Sequence, residues 1–295
     1  MKPRLVYVET PKQLPSPPPL GRVVTLDLAF AAGNRFERAT RPFIEALGLR
    51  LAKWIDHHPH PAWERYEGDP RFLLVDKRQA PACPELVRPE LVREIGAVEH
   101  VFAHADFDGL ISAAKFLLGG RSPYPEADED ARAVDAPGRG FVSSERGRRL
   151  ADAIARSRDA YPKEHHRFLL ALTEALVEGE EAPALGRKID RLAQEARERR
   201  EALRPLLEQA VRDHPEVLVL SLGRMISPSD KKHLLVRMEE EATIAVIEEP
   251  GAVTVATFHE EVRLRDHPAL HGTDGFAWGK ASYAAIREGL IALLP

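Results

Sequence analysis

VEHVFAHADFDG, residues 98–109, is the stretch whose reading decides the fold. Val98–Ala103 is a short apolar run rich in residues that favour strands, and it predicts a β-strand. The run passes directly into His104-Ala105-Asp106-Phe107-Asp108-Gly109. A helix is predicted from about Leu110 to Leu118, stopping at Gly119-Gly120. Alternate residues of an extended segment share a face. His104, Asp106 and Asp108 are therefore expected on one side, with Ala105 and Phe107 on the other. Gly109 allows a tight entry into the helix.

The same strand-then-helix pattern recurs upstream. A strand is predicted over 21–28 with Asp27 near its end, another over 50–55 ending in Asp56-His57-His58, and a third over 72–75. Helices are predicted over 34–47, with a break near Pro42, and over 83–95. Residues 11–20, PKQLPSPPPL, form a Pro-rich lead incompatible with a helix or a central strand. Strands alternating with helices predict an α/β domain with a mainly parallel sheet flanked by helices. Residues 121–147 read as loop, and 150–157 and 167–178 as helices. A long charged helix is expected over 185–213, broken or kinked at Pro205. After Pro215 come short β runs at 217–220, 243–247 and 253–258 and a closing helix at 283–294. The expected organisation is a first domain over 1–184, a connecting helix within 185–215, and a second, smaller α/β domain over 216–295.

Composition sets limits on function. With 44% hydrophobic and 30% charged residues, the chain has the apolar material of a folded globular protein. No apolar run approaches a membrane span, and the N-terminus has no secretory apolar core. A cytoplasmic location and no membrane partner are expected. The single Cys83 excludes an intramolecular disulfide and any multi-thiolate zinc site. A net charge of −4 argues against a protein built to hold duplex DNA.

Three predicted strands thus end in acids and histidines. Ligands of parallel α/β sheets bind beyond the carboxyl ends of the strands, so these groups are expected to converge. Clustered carboxylates repel one another unless cations sit among them. One or two imidazoles with several carboxylates suit Mn²⁺ or a similar ion that prefers nitrogen and oxygen. A carboxylate bridging two ions makes a two-metal centre, the common device for phosphoester hydrolysis. His165-His166 reads as a solvated pair, and His60 as a group beside the site.

IDHH at 55–58 together with HADFDGLISA at 104–113 resembles the DHH phosphoesterase superfamily, in its RecJ-like and nanoRNase-like branches. The order differs from the family's, in which the H-x-D-x-D segment comes first; here Asp27 and DHH precede it. APACPELV at 80–87 resembles the stretch that follows DHH, and VDAPGRGFVSSERGRRLADAI at 134–154 that following the first motif. The resemblance implies a circular permutation of the catalytic domain. It also implies roles: Asp27 bridges two ions, His104 and Asp106 hold one, and Asp108 and His57 hold the other. Asp56 orients His57, and His58 contacts the phosphate. The last metal-binding aspartate is assigned to Asp159, with Asp152 and Asp135 as competitors. HGTDGFAWGKAS at 271–282 resembles the Gly-rich segment of the DHH-associated domain. Gly272, Thr273 and Gly275, with Arg224, are then candidate substrate contacts, as are Lys231 and Lys232. Trp278 is expected in the core rather than stacked on a base.

The implied activity is a Mn²⁺-dependent phosphoesterase, with two ions (Mg²⁺ or Co²⁺ as substitutes), acting on short oligonucleotides or small nucleotides. The alternatives are a non-catalytic metal- and nucleotide-binding module and, less well matched in motif spacing, an inorganic pyrophosphatase. Assembly as a homodimer is left open.

Overall fold

The computed structural model describes residues 2–137 and 140–295; Met1, Gly138 and Arg139, the last two within the 134–154 stretch, lie outside the described residues. The chain divides into two compact units, one of Met1–Ala136 and Phe141–Ala193, the other of Pro137–Gly140 and Gln194–Pro295. No described helix is long and apolar enough to cross a membrane.

The first unit is an α/β domain built on a five-stranded sheet. Its strands are β1 (Arg4–Val8), β2 (Val23–Leu26), β3 (Leu51–Asp56), β4 (Phe72–Leu74) and β5 (His100–His104). Their order across the sheet is β1-β5-β2-β3-β4, and every pairing is parallel. Strand β2 is buried along its whole length, as a strand covered on both faces must be. Val24 and Leu26 enter one core with Ile55, Val101 and Leu110. Val23 enters the other with Trp54, Phe43 and Phe102. Leu26 lies in register with both Ile55 and Ala103, so the residues just past β2, β3 and β5 leave the sheet side by side.

Strand β1 was not foreseen. RLVYV is short and followed by the Pro-rich lead, and only its pairing with β5 makes it a strand. The predicted helix over 34–47 is three pieces: a 3₁₀ turn (Gly33–Arg35), a π turn (Phe36–Thr40) and α1 (Arg41–Leu47). Pro42 sits in the first turn of α1, where a missing N–H costs nothing. The segment 83–95 is likewise a 3₁₀ turn (Cys83–Leu86) followed by α2 (Pro89–Ile95). Helix α3 (Phe107–Leu117) starts earlier than predicted, because the Asp106 carboxylate caps it by accepting the Gly109 N–H at 2.9 Å. A Cβ on Gly109 would meet the His104 carbonyl oxygen at 2.1 Å, so the turn requires glycine.

The 121–147 region contains α4 (Ala127–Asp135). Its buried residues are Ala127, Asp130 and Ala131, with Val134 packed beside them, too small an apolar signal for periodicity to show, while three acids in its first turn favour a helix start. Then follow α5 (Glu145–Ala160), α6 (Pro162–Glu178) and α7 (Pro183–Leu207). Pro205 falls in the last turn of α7, where it forfeits a single backbone bond.

The second unit is built on a six-stranded mixed sheet, β10-β11-β9-β8-β7-β6. It comprises β6 (Val211–His214), β7 (Val217–Ser221), β8 (Ile244–Glu249), β9 (Ala252–Ala256), β10 (His271–Gly272) and β11 (Phe276–Gly279). Helix α8 (Pro228–Glu239), not predicted, covers one face through Leu234, Leu235 and Met238. Helix α9 (Tyr283–Ile291) covers the other through Ile286 and Leu290.

Candidate metal centre

Asp27 is the first residue beyond β2, and its backbone is left-handed (φ 58°). Aspartate is one of the few non-glycine residues that tolerate this conformation, and such strain concentrates at functional sites. Its N–H donates to the Ile55 carbonyl at 2.9 Å, which fixes the turn against β3. The side chain is 1% exposed. Asp27 Oδ1 lies 3.3 Å from His57 Nε2 and 3.7 Å from His58 Nδ1, while Oδ2 lies 3.7 Å from His104 Nδ1.

His57 Nε2 is also 3.3 Å from Asp108 Oδ2 and 3.4 Å from Asp135 Oδ2. His104 Nδ1 is 2.8 Å from Asp106 Oδ2. Three groups therefore form among the described residues: Asp27-His57-His58, Asp27-His104-Asp106 and His57-Asp108-Asp135. In each, one ligand atom per residue lies within 4.8 Å of the others. The structure brings Asp27, His57, His104, Asp106 and Asp108 together. Asp108 arrives by a different path from the one expected, because α3 has already begun at Phe107 and its first turn swings Asp108 towards His57. The Cys83 N–H, at 2.9 Å, holds Asp108 Oδ2.

Of the three aspartates considered for the last ligand, Asp135 alone falls in one of these groups among the described residues. Asp135, at the end of α4, lies beside His57. Asp159 lies on α5 with its carboxylate 3.9 Å from Arg158 Nε, and neither it nor Asp152 belongs to any of the three groups. Asp135 was only a competitor in sequence because the helix that aims it was not visible there. The role of Asp56 is corrected. Its Oδ1 accepts from His58 Nδ1 at 2.8 Å, whereas His57 Nδ1 is held by the Ala80 carbonyl at 2.8 Å. Residues i and i+2 share a side at a strand end, so Asp56 reaches His58 and not its immediate neighbour. The two rings pack edge to face, 4.4 Å between centroids.

The electrostatics are those of a site short of positive charge. Burial alone would depress the His57 imidazole, but Asp27, Asp108 and Asp135 outweigh it and raise its pKa to about 10. His104 is likewise raised, burial being outweighed by Asp106 and Asp27. Burial and then the charge of Asp27 push the Asp108 carboxyl well above the carboxylate range. Burial would raise Asp106 as well, yet His104 holds it below that range. Lys77, which the sequence reading missed, forms an ion pair with Asp135 Oδ2.

These residues fit a divalent cation. Both carboxylate oxygens of Asp27, Oδ2 of Asp56 and Oδ1 of Asp108 are buried without a hydrogen bond among the described residues. Buried oxygens left this way cost stability unless a ligand satisfies them. The donors are all nitrogen and oxygen, and the Cys83 thiol is turned to the Ile55 carbonyl. Such a set suits Mn²⁺, Mg²⁺ or Co²⁺.

The remaining predicted residues lie elsewhere. His165 is fully buried, with Nε2 3.0 Å from the Ala105 carbonyl, and so is not a solvated residue; burial keeps its pKa below the ordinary value. His60 caps the 3₁₀ turn Pro61–Tyr66 by accepting the Ala62 N–H. In the second unit, Arg224 is exposed in the loop after β7. Lys231 is paired with the buried Glu249. The Thr273 N–H donates to the Phe276 carbonyl at 2.8 Å, and the Gly275 carbonyl accepts the Thr257 N–H at 3.0 Å. Gly272 is required by close approach, since a Cβ there would lie 2.3 Å from the Phe276 carbonyl oxygen. Trp278 is 46% exposed, not a core residue, and Phe276 two positions earlier is 43% exposed.

No protein-family model matches the chain, and no curated protein matches it. Among solved structures it is similar to exonuclease RecJ bound to manganese, with 16% identity and a TM-score of 0.45 over 92% of this chain and 74% of that one. It is similar to RecJ in complex with Mn²⁺ from Thermus thermophilus at 17% identity and a TM-score of 0.46, covering 92% of this chain and 44% of that one. It is also similar to the pGpG-specific phosphodiesterase PggH from Vibrio cholerae, at 10% identity and a TM-score of 0.45 over 92% and 97% of the two chains.

Proposed function

We propose that the protein is a divalent-metal-dependent phosphoesterase of the DHH type, with the motif order of its catalytic domain circularly permuted. The observation that supports this best is the Asp27 carboxylate, buried and without hydrogen bonds among the described residues, whose two oxygens face two different histidine-containing groups. Asp27, His104 and Asp106 would hold one ion; Asp27, His57, Asp108 and Asp135 would hold the other. Mn²⁺ suits this donor set, with Mg²⁺ and Co²⁺ as substitutes. The parallel adjacency of β2 and β5 supports the permutation, since it sets Asp27 beside the HADFDG segment despite the inverted sequence order.

Bound ions would supply an activated water and neutralise charge developing at phosphorus. The protein's own side chains orient the reaction. Asp56 fixes His58 through Nδ1, and the His58 side chain is 30% exposed. Nε2 is then the nitrogen left to meet a phosphoryl oxygen. The Ala80 carbonyl fixes the ring of His57 so that Nε2 faces the carboxylates.

The substrates proposed are short oligonucleotides or small nucleotides, hydrolysed at phosphodiester or phosphomonoester bonds in the cytoplasm. A net charge of −4 and 6% aromatic residues leave little for a long basic track with stacking rings. The test is turnover with Mn²⁺ against dinucleotides, cyclic dinucleotides, a 3′-phosphoadenosine phosphate and pyrophosphate. Metal-dependent release from at least one nucleotide supports the reading. Tight Mn²⁺ binding with no hydrolysis of any of them replaces it with a metal- and nucleotide-binding module.

A further inference from the structure

Lys77 sets an ammonium group against this acidic cluster. It lies in the loop after β4, on a tight turn in which the Asp76 carbonyl accepts the N–H groups of Gln79 and Ala80 at 2.8 and 3.0 Å. The carbonyl at the end of that turn, that of Ala80, is the one that fixes His57. One turn therefore places both the His57 ring and the Lys77 ammonium. Lys77 Nζ pairs with Asp135 Oδ2, yet 29% of the lysine side chain remains exposed. The ammonium thus sits at a proposed metal ligand while part of the lysine side chain remains open to solvent.

Charge balance says what it is for. Asp27, Asp56, Asp106, Asp108 and Asp135 bring five carboxylates to one place. Two divalent ions supply four positive charges, leaving one negative charge where an anionic phosphate must approach. Lys77 offsets that charge. We propose that Lys77 is a catalytic residue that contacts a phosphoryl oxygen of the substrate, and that in the metal-free protein its ammonium takes the place of the second ion at Asp135. This rests on the phosphoesterase reading for its substrate, but both halves can be read by binding alone.

The test uses the full chain with Lys77→Met and Lys77→Arg. Calorimetric Mn²⁺ titration should show Lys77→Met binding the second ion about three- to tenfold more tightly than wild type, because a competing charge at Asp135 is gone. Inorganic phosphate should bind the Mn²⁺-loaded Lys77→Met variant about ten- to a hundredfold more weakly, the scale of a lost charged contact to an oxyanion. Lys77→Arg should recover most of the phosphate affinity. Unchanged or weaker Mn²⁺ binding in Lys77→Met, with unchanged phosphate affinity, would overturn the proposal and leave Lys77 as a tie for the loop. If wild type binds phosphate but turns over no nucleotide, the phosphoesterase reading fails, while the phosphate measurement still decides the role of Lys77.

Discussion

The two units treat their polar groups in opposite ways. In the first, Asp27 and Asp108 bury carboxylate oxygens that accept no hydrogen bond among the described residues, around histidines that the same carboxylates force towards the charged form. In the second, the segment predicted to grip substrate spends its polar groups on itself. Thr273 binds Phe276 through both N–H and hydroxyl, Asp274 is clasped by Arg265, and Lys231 by Glu249. A satisfied polar group explains itself as structure, whereas a buried unsatisfied one calls for a ligand. The first unit therefore carries the candidate centre, and in the predicted substrate segment of the second the side chains of Phe276 and Trp278 are 43% and 46% exposed.

The largest effect that tests this contrast is at Asp27. Asp27→Ala should abolish Mn²⁺-dependent hydrolysis, by about 10⁴-fold or more, because the residue serves both ions. Metal content and turnover measured together check it, and full activity in this variant would break the assignment. Next is His58→Ala, expected to keep its Mn²⁺ content while activity falls about 10²–10³-fold, as for a lost transition-state donor. Loss of metal in that variant would make His58 a ligand instead.

Asp135→Asn and Asp159→Asn sharpen the picture within the first unit. The former should weaken Mn²⁺ binding by about 10–100-fold, and the latter should leave it unchanged. The reverse result would restore Asp159 as the ligand. A smaller, pH-dependent effect follows from His57. Its pKa is raised in the folded, metal-free protein, so the stability it contributes is complete below its unfolded value of about 6.5 and is lost as pH rises towards about 10. Asp108, also raised, adds a loss in the same direction. The thermal midpoint of metal-free protein should therefore fall between pH 7 and 9. The Mn²⁺-loaded protein should lack most of this fall, because ligation displaces the His57 proton. The smallest effect belongs to the second unit: Thr273→Ala should cost about 1 kcal/mol of stability and leave Mn²⁺ binding untouched.

Most of the centre was legible in sequence because its residues follow apolar strands directly. Asp27, His57, His104 and Asp106 are carried to one sheet edge by the strands before them, and local pattern is enough to find such positions. Asp135 was legible only as a competitor, and its partner Lys77 not at all. Asp135 sits on a helix whose buried residues are two alanines and an aspartate, and Lys77 on a turn whose shape is set by hydrogen bonds to Asp76.

By itself the sequence determined the α/β class, the strands that end in acid and histidine, and the nitrogen-and-oxygen character of the donor set. Only the tertiary structure decided that β1 joins the sheet, that Asp56 serves His58, and that Asp135 rather than Asp159 reaches the centre. Periodicity reports which face of a segment is buried, but not which distant segment comes to lie beside it. That second question is settled by packing, where α4 and the Asp76–Ala80 turn close on His57 from residues far away in the chain.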